Sequence, residues 1–185
     1  YHCIISDRPV NLNESYNKMA DEANGKYIWC LNDDTEINTG GWDKIILDKI
    51  DAFKDNNKIV DDIIYANIYD TSIDKPTGRT YASFPMISKQ AVKILGYFFP
   101  PEFNSFGGDS AIFRVYEAVN RVLTIPEILV DHIYHNNIYR VMSPDLTASE
   151  MRKSCNNIDP FTFDISMSVF KLKRYILDEN RISTN

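Results

Sequence analysis

Apolar positions along this chain recur in two rhythms, and the rhythm changes several times. Cys3, Ile4 and Ile5 within Tyr1 to Ser6 predict a short strand, which Arg8-Pro9 ends. Asn11 or Asn13 then suits the cap of a helix whose Leu12, Tyr16, Met19, Ala20 and Ala23 share one face. Gly25 suits the termination of that helix. Lys26 to Leu31 is continuously apolar after its first residue, as expected of a strand in a sheet covered on both faces. Glu36 to Gly41 reads as a loop broken at Gly40-Gly41. Helical spacing returns from Trp42 to Phe53, with Trp42, Ile45, Ile46, Ile50 and Phe53 as its apolar stripe.

Lys58 to Tyr69 reads mostly as strand, and Lys75-Pro76-Thr77-Gly78 as a turn. Thr80 to Ile87 predicts another strand, with Pro85 implying an edge or a bend. Ser88 is placed to cap a short helix that packs through Ile87, Ala91, Val92 and Leu95 and stops at Gly96. A loop from Tyr97 to Gly108 leads to a helix over about Asp109 to Asn120. Val122 to Ile125 and Ile128 to Ile133 predict two strands parted by Pro126. Asn136 to Asn157 shows no strong period, and an amphipathic helix follows from about Phe163 to Leu177. Its Ile165, Val169, Leu172 and Ile176 share one face, with Lys171, Lys173 and Arg174 as a basic flank. Strands and helices alternate in the first half, which predicts an α/β fold with a mainly parallel sheet. Residues 1–140 read as the core, and 141–185 as a C-terminal loop and helix.

Composition narrows the functional classes. The chain has 185 residues, enough for a substantial core, and its net charge of −6 argues against a nucleic-acid-binding surface. No apolar run approaches the roughly 20 residues that span a bilayer. Cys3, Cys30 and Cys155 are an odd count with no paired spacing, and Cys3 and Cys30, in apolar strand-like contexts, read as buried free thiols, which favours a reducing, cytoplasmic setting. The basic final helix also allows a location peripheral to a membrane. Because the chain opens at Tyr1, directly into a strand, it is expected to be a piece of a longer polypeptide or a processed product.

The chemistry concentrates at Asn32-Asp33-Asp34-Thr35, directly after the apolar run. Unpaired buried charge costs several kcal/mol, so two carboxylates at a buried strand end imply a cation or dense hydrogen bonding. Magnesium or manganese takes one or two carboxylates from a protein and the rest of its shell from phosphate and water. Asp33 and Asp34 can divide that work, one on the metal and one on a sugar hydroxyl. The same pair also fits a solvated turn, with Asp34 capping the amides of Glu36 and Ile37. In Phe106-Gly107-Gly108-Asp109 the glycines allow backbone to approach a ligand closely, and Asp109 sits where a helix begins. An ionised carboxylate there can act as a general base or simply cap the helix. His132, after an apolar strand, suits a third metal ligand or a diphosphate partner, or else a bond to backbone. Arg8 can face a phosphate at the sheet edge.

Taken in order, these segments resemble a glycosyltransferase of the GT-A fold, most like the family 2 group. Asn11-Leu12-Asn13-Glu14-Ser15-Tyr16-Asn17 and Ala23-Asn24-Gly25-Lys26-Tyr27-Ile28 resemble the helix and strand before the family's DxD motif. Leu31-Asn32-Asp33-Asp34-Thr35 resembles the motif itself, with Asn32 in place of its first Asp, and Gly41-Trp42 the helix start after it. Phe84-Pro85-Met86-Ile87-Ser88 and Leu95-Gly96-Tyr97-Phe98 resemble the acceptor-side segment, and Gly107-Gly108-Asp109 the acidic base motif. His132 resembles the late metal-binding histidine.

The resemblance implies a Rossmann-like fold and sugar transfer from a nucleotide-diphospho-sugar to an acceptor hydroxyl, with inversion. Asp34 would bind Mn2+ or Mg2+, and Asp33 the donor ribose or the metal shell. Asp109 would deprotonate the acceptor. His132 would contact metal or diphosphate, with His135 as substitute, and Arg8, Asn17, Gly107 and Gly108 would line the substrate site. Family members open with two further strands that carry the nucleotide-base pocket, which this chain would need from another segment or chain. A GT-A-like module that binds a sugar or a partner without catalysis is the alternative. A different metal-dependent phosphoryl or nucleotidyl transferase is weakened by the lack of a Gly-Lys-Ser/Thr phosphate loop.

Overall fold

The computed structural model describes residues 11–32, 35–70, 82–104, 107–132 and 158–183, without the side chains of Tyr69, Asp70 and His132. The predicted strand at Tyr1 to Ser6, the turn at Lys75 to Gly78 and the aperiodic stretch Asn136 to Asn157 lie outside the described residues. In chain order the elements are α1 (Leu12–Glu22), β1 (Tyr27–Trp29), β2 (Thr35–Ile37), α2 (Trp42–Asn57) and β3 (Tyr65–Asp70). They continue with β4 (Met86–Ser88), α3 (Lys89–Leu95), α4 (Gly108–Glu117), β5 (Val122–His132) and α5 (Ser166–Ser183).

Local signals account for the starts of α1 and α3. The Asn11 side chain accepts a hydrogen bond from the Glu14 amide at 2.8 Å, and that of Ser88 from the Ala91 amide at 3.3 Å. Gly96 ends α3 at φ +89°, a left-handed conformation that glycine adopts without strain. The apolar stripe of α2 is buried as predicted through Ile46 and Ile50, with Trp42, Ile45 and Phe53 partly covered.

The five strands form one sheet in the order β1-β4-β3-β5-β2. The expected mainly parallel sheet is corrected: the sheet is mixed. Among the described residues only β3 and β5 run parallel, while β1–β4, β4–β3 and β2–β5 are antiparallel. Alternation of helix and strand says nothing about neighbours, and β4 inserts between β1 and β3 against both. Two other expectations change. Among the described residues β1 is a three-residue strand at one end of the sheet and is half-buried, not a strand covered on both faces. Glu36 and Ile37, read as loop, belong to β2. The two strands expected around Pro126 are one element, β5. The pairing with β3 shifts register between Ile68 and Asp70, which absorbs the residues around the proline.

Helices cover both faces. On one face α2 packs over Ile64, Ala66, Ile68, Ile125, Ile128 and Val130. On the other, α1, α3, α4 and α5 enclose Ile63, Tyr65, Phe98, Ile112 and Tyr116. The alternation from Ile63 to Ile68 follows the period-two pleat of a strand. Beside the sheet, Asp61 is buried, accepting from the Ile63 amide at 2.8 Å and pairing with Arg121 at 3.1 Å. Among the described residues no helix is long and apolar enough to cross a membrane.

Candidate functional site

The chemistry-bearing segments meet through α1, which acts as a strut between loops distant in sequence. Its first turn holds the chain that precedes α4. Asn11 Nδ2 donates to Asn104 Oδ1 at 3.2 Å, and the buried Asn13 Nδ2 donates to the Phe103 carbonyl at 2.9 Å. One turn on, Asn17 fastens the loop after α3: its Oδ1 accepts from the amides of Phe98 and Phe99, each at 2.8 Å, and its Nδ2 donates to the Phe99 carbonyl at 2.9 Å. The amide of Asn17, expected at the substrate, is thus committed to backbone, where it fixes the loop beneath two buried phenylalanines.

Gly107 and Gly108 are closely approached, but by the protein's own side chains. Gly107 has φ +92° and lies against Phe103 and Pro160. A Cβ on Gly108 would stand 2.7 Å from Asn13 Nδ2 and 3.3 Å from Phe99 Cβ. Packing therefore accounts for both glycines without a ligand. Asp109 lies in the first turn of α4, where the helix dipole favours negative charge, and its Oδ1 accepts from the Ser110 amide at 2.8 Å.

The end of β1 faces this corner. The Cys30 amide donates to the Pro85 carbonyl at 3.1 Å, extending the contact between β1 and the chain before β4. The Cys30 thiol is buried and free. Burial raises its pKa, the hydroxyl of Tyr16 opposes that rise, and the negative charge of Asp109 adds to it. Tyr16 also donates its hydroxyl to Asn32 Oδ1. The sequence placed Tyr16 only on the apolar face of α1. Its phenol was the available signal, because a buried tyrosine hydroxyl normally finds a partner.

Asn32 and Thr35 are drawn together, since the Thr35 amide donates to the Asn32 carbonyl at 3.3 Å. Asp33 and Asp34 fall between them in sequence and lie outside the described residues, as do Arg8 and His135. From Thr35 the chain enters β2, whose register on β5 pairs Thr35 with His132, Glu36 with Asp131 and Ile37 with Val130. The register is fastened beyond the strand, where Asn38 donates from its backbone to Leu129 at 2.9 Å and from its side chain to Asp131 at 2.7 Å. The backbone of His132 thus lies directly across from the residue that follows Asp34. Directly opposed Cα atoms in an antiparallel pair are about 4.5–5.5 Å apart.

A groove of about 230 Å³ runs between α1 and β1, lined mainly by Met19, Ala20, Ala23, Ile28, Leu31 and Phe98. Its size and apolar lining do not by themselves suit a nucleotide-diphospho-sugar. Among the described residues no three His, Cys, Asp or Glu side chains are grouped to hold a metal ion. Asp33, Asp34, His135 and the side chain of His132 are not among them. No family model, curated protein or solved structure matches the chain.

Proposed function

We propose that this chain is a metal-dependent glycosyltransferase that moves a sugar from a nucleotide-diphospho-sugar to an acceptor hydroxyl with inversion. The observation that carries the reading is the register of β2 on β5. It sets the backbone of His132 across from Thr35, the residue that follows Asp34. The contacts of α1, from Asn13 beside Gly108 to Tyr16 at Asn32, support it by linking the start of the Asp109 helix to the chain entering the Asp pair.

In this reading Asp34 and His132 would hold the divalent ion, with His135 as the substitute for His132, Asp33 would bind the donor ribose or join the metal shell, and Arg8 would bind a substrate phosphate. A carboxylate and an imidazole, with phosphate and water completing the shell, form a donor set suited to Mn2+ or Mg2+. When bound, the ion supplies positive charge against the departing diphosphate. Asp109 accepts the proton of the acceptor hydroxyl as its oxygen bonds to the anomeric carbon on the side opposite the breaking bond, which inverts the centre. Asn17, Gly107 and Gly108 shape the site by packing. The buried free thiol of Cys30 accords with a cytoplasmic setting.

The test is calorimetry of the purified chain with manganese and UDP, GDP or dTDP, followed by donor turnover. Metal-dependent binding lost in Asp34→Ala is expected, as is turnover lost in Asp109→Asn with nucleotide binding retained. Absence of binding for all three nucleotides at millimolar concentration would sink the proposal for this chain.

A further inference from the structure

α5 presents two different faces. Its inner face closes the core: Leu172 is fully buried, and Ile165, Val169, Tyr175 and Ile176 pack around it. Lys171 Nζ ties the helix to the Leu95 carbonyl at 3.2 Å, and the hydroxyls of Ser168 and Tyr97 are hydrogen-bonded. The opposite face carries large apolar side chains in water. Met167 is 66% exposed, Phe170 59% and Leu177 59%, and Phe161, just before the helix, is 62% exposed. At 3.6 residues per turn, Met167, Phe170, Arg174, Leu177 and Arg181 fall on one stripe, bordered by Lys173 on one side and by Asp178 and Lys171 on the other. The helix has four basic residues (Lys171, Lys173, Arg174, Arg181) against two acidic ones (Asp178, Glu179). That is a net +2 within a chain of net −6.

We infer that this outer face docks the protein on an anionic lipid surface, with α5 lying in the plane of the interface. Apolar side chains of this size reach the acyl boundary, while the long stems of lysine and arginine keep their charges at the headgroups. Charge selects this occupant over a second copy of the chain. In an in-register parallel pair, Arg174 and Arg181 would each meet their own counterpart at the seam, and like charges there oppose association.

Co-sedimentation with vesicles of phosphatidylcholine, alone or mixed with phosphatidylglycerol, tests the inference. Binding is expected to the mixed vesicles only, and to weaken as salt rises. Lys173→Ala and Arg174→Ala should each lower it roughly fivefold. Phe170→Glu with Leu177→Glu should abolish it with the thermal midpoint unchanged, because both side chains are exposed. Failure to bind mixed vesicles, or equal binding by the double variant, overturns the inference. So does binding to soluble polyglutamate without vesicle binding, or a dimer in light scattering that Phe170→Glu dissolves while vesicle binding is absent.

Discussion

Replacing Gly108 by alanine should destabilise the protein by about 1–3 kcal/mol. The new methyl would stand 2.7 Å from Asn13 Nδ2 and 3.3 Å from both Cβ and Cδ1 of Phe99. Asn13 is only 2% exposed, so its amide has little room to withdraw. Retreating far enough to clear the methyl stretches or breaks its 2.9 Å bond to the Phe103 carbonyl. Leaving such a buried group unpaired costs about 1–3 kcal/mol, and squeezing a methyl into a packed site costs a similar amount. The two are alternatives more than a sum, because movement of the amide relieves the crowding. Higher helix propensity of alanine returns at most about 1 kcal/mol. In a chain of this length each kcal/mol lowers the thermal midpoint by roughly 2–4 °C. Differential scanning calorimetry reads the shift, with Gly40→Ala as a control expected to stay within about 0.5 kcal/mol, since nothing lies within 4 Å of its Cβ position. The mechanism also predicts non-additivity. Asn13→Ala removes the obstructing amide, so the Gly108→Ala, Asn13→Ala pair should cost little more than Asn13→Ala alone. An unchanged or raised midpoint for Gly108→Ala, or strict additivity in the pair, would refute the packing argument.

Two further outcomes follow from buried ionisable groups. Arg121→Met should cost about 3–5 kcal/mol in urea unfolding by stranding the carboxylate of Asp61, and Asp61→Asn in the same chain should recover much of the loss. Parity of single and double variants would show that the charge is not the cause. Stability should also decline in alkali. Burial is the leading cause of the raised pKa values of Tyr27, Cys30 and Tyr116, and unfolded thiols and phenols ionise near about 8.5 and 10. The unfolded chain then sheds protons first, so their contribution is full below about pH 8.5 and falls as pH rises towards 11. Thermal melts across that range that stay flat would contradict it.

The helices were legible because their information is local. Asn11, Ser88 and Gly96 act within one turn of their own position, and the stripe of α2 needs only a helical period to be recognised. The candidate site was legible as residue types in order, not as contacts. Tyr16 looked like core until its hydroxyl was found at Asn32, and Asn17 looked like a substrate ligand until its amide was found on the backbone of Phe98 and Phe99. Gly107 and Gly108 were recognisable as places of close approach, but the identity of what approaches was not written nearby. Phe103 stands four residues before Gly107, but Pro160 and Asn13 come from distant segments.

The sheet shows the same division at larger scale. Strand-forming stretches at Tyr27, Ile64, Ile87 and Val122 announce themselves through apolar runs, since burial on a pleated surface selects those residues wherever the strand pairs. Direction and neighbour are different quantities. They depend on which edge each strand meets, and β4 met both β1 and β3 in the antiparallel sense. β2 is the sharpest case: three residues with no apolar run became a strand because Val130 to His132, almost a hundred residues later, offered an edge. That pairing brings the backbone of His132 opposite Thr35. Local sequence specified the helices and the side-chain chemistry available to them. Long-range hydrogen bonding and packing, which no short window of sequence contains, determined which chemistry stands beside which.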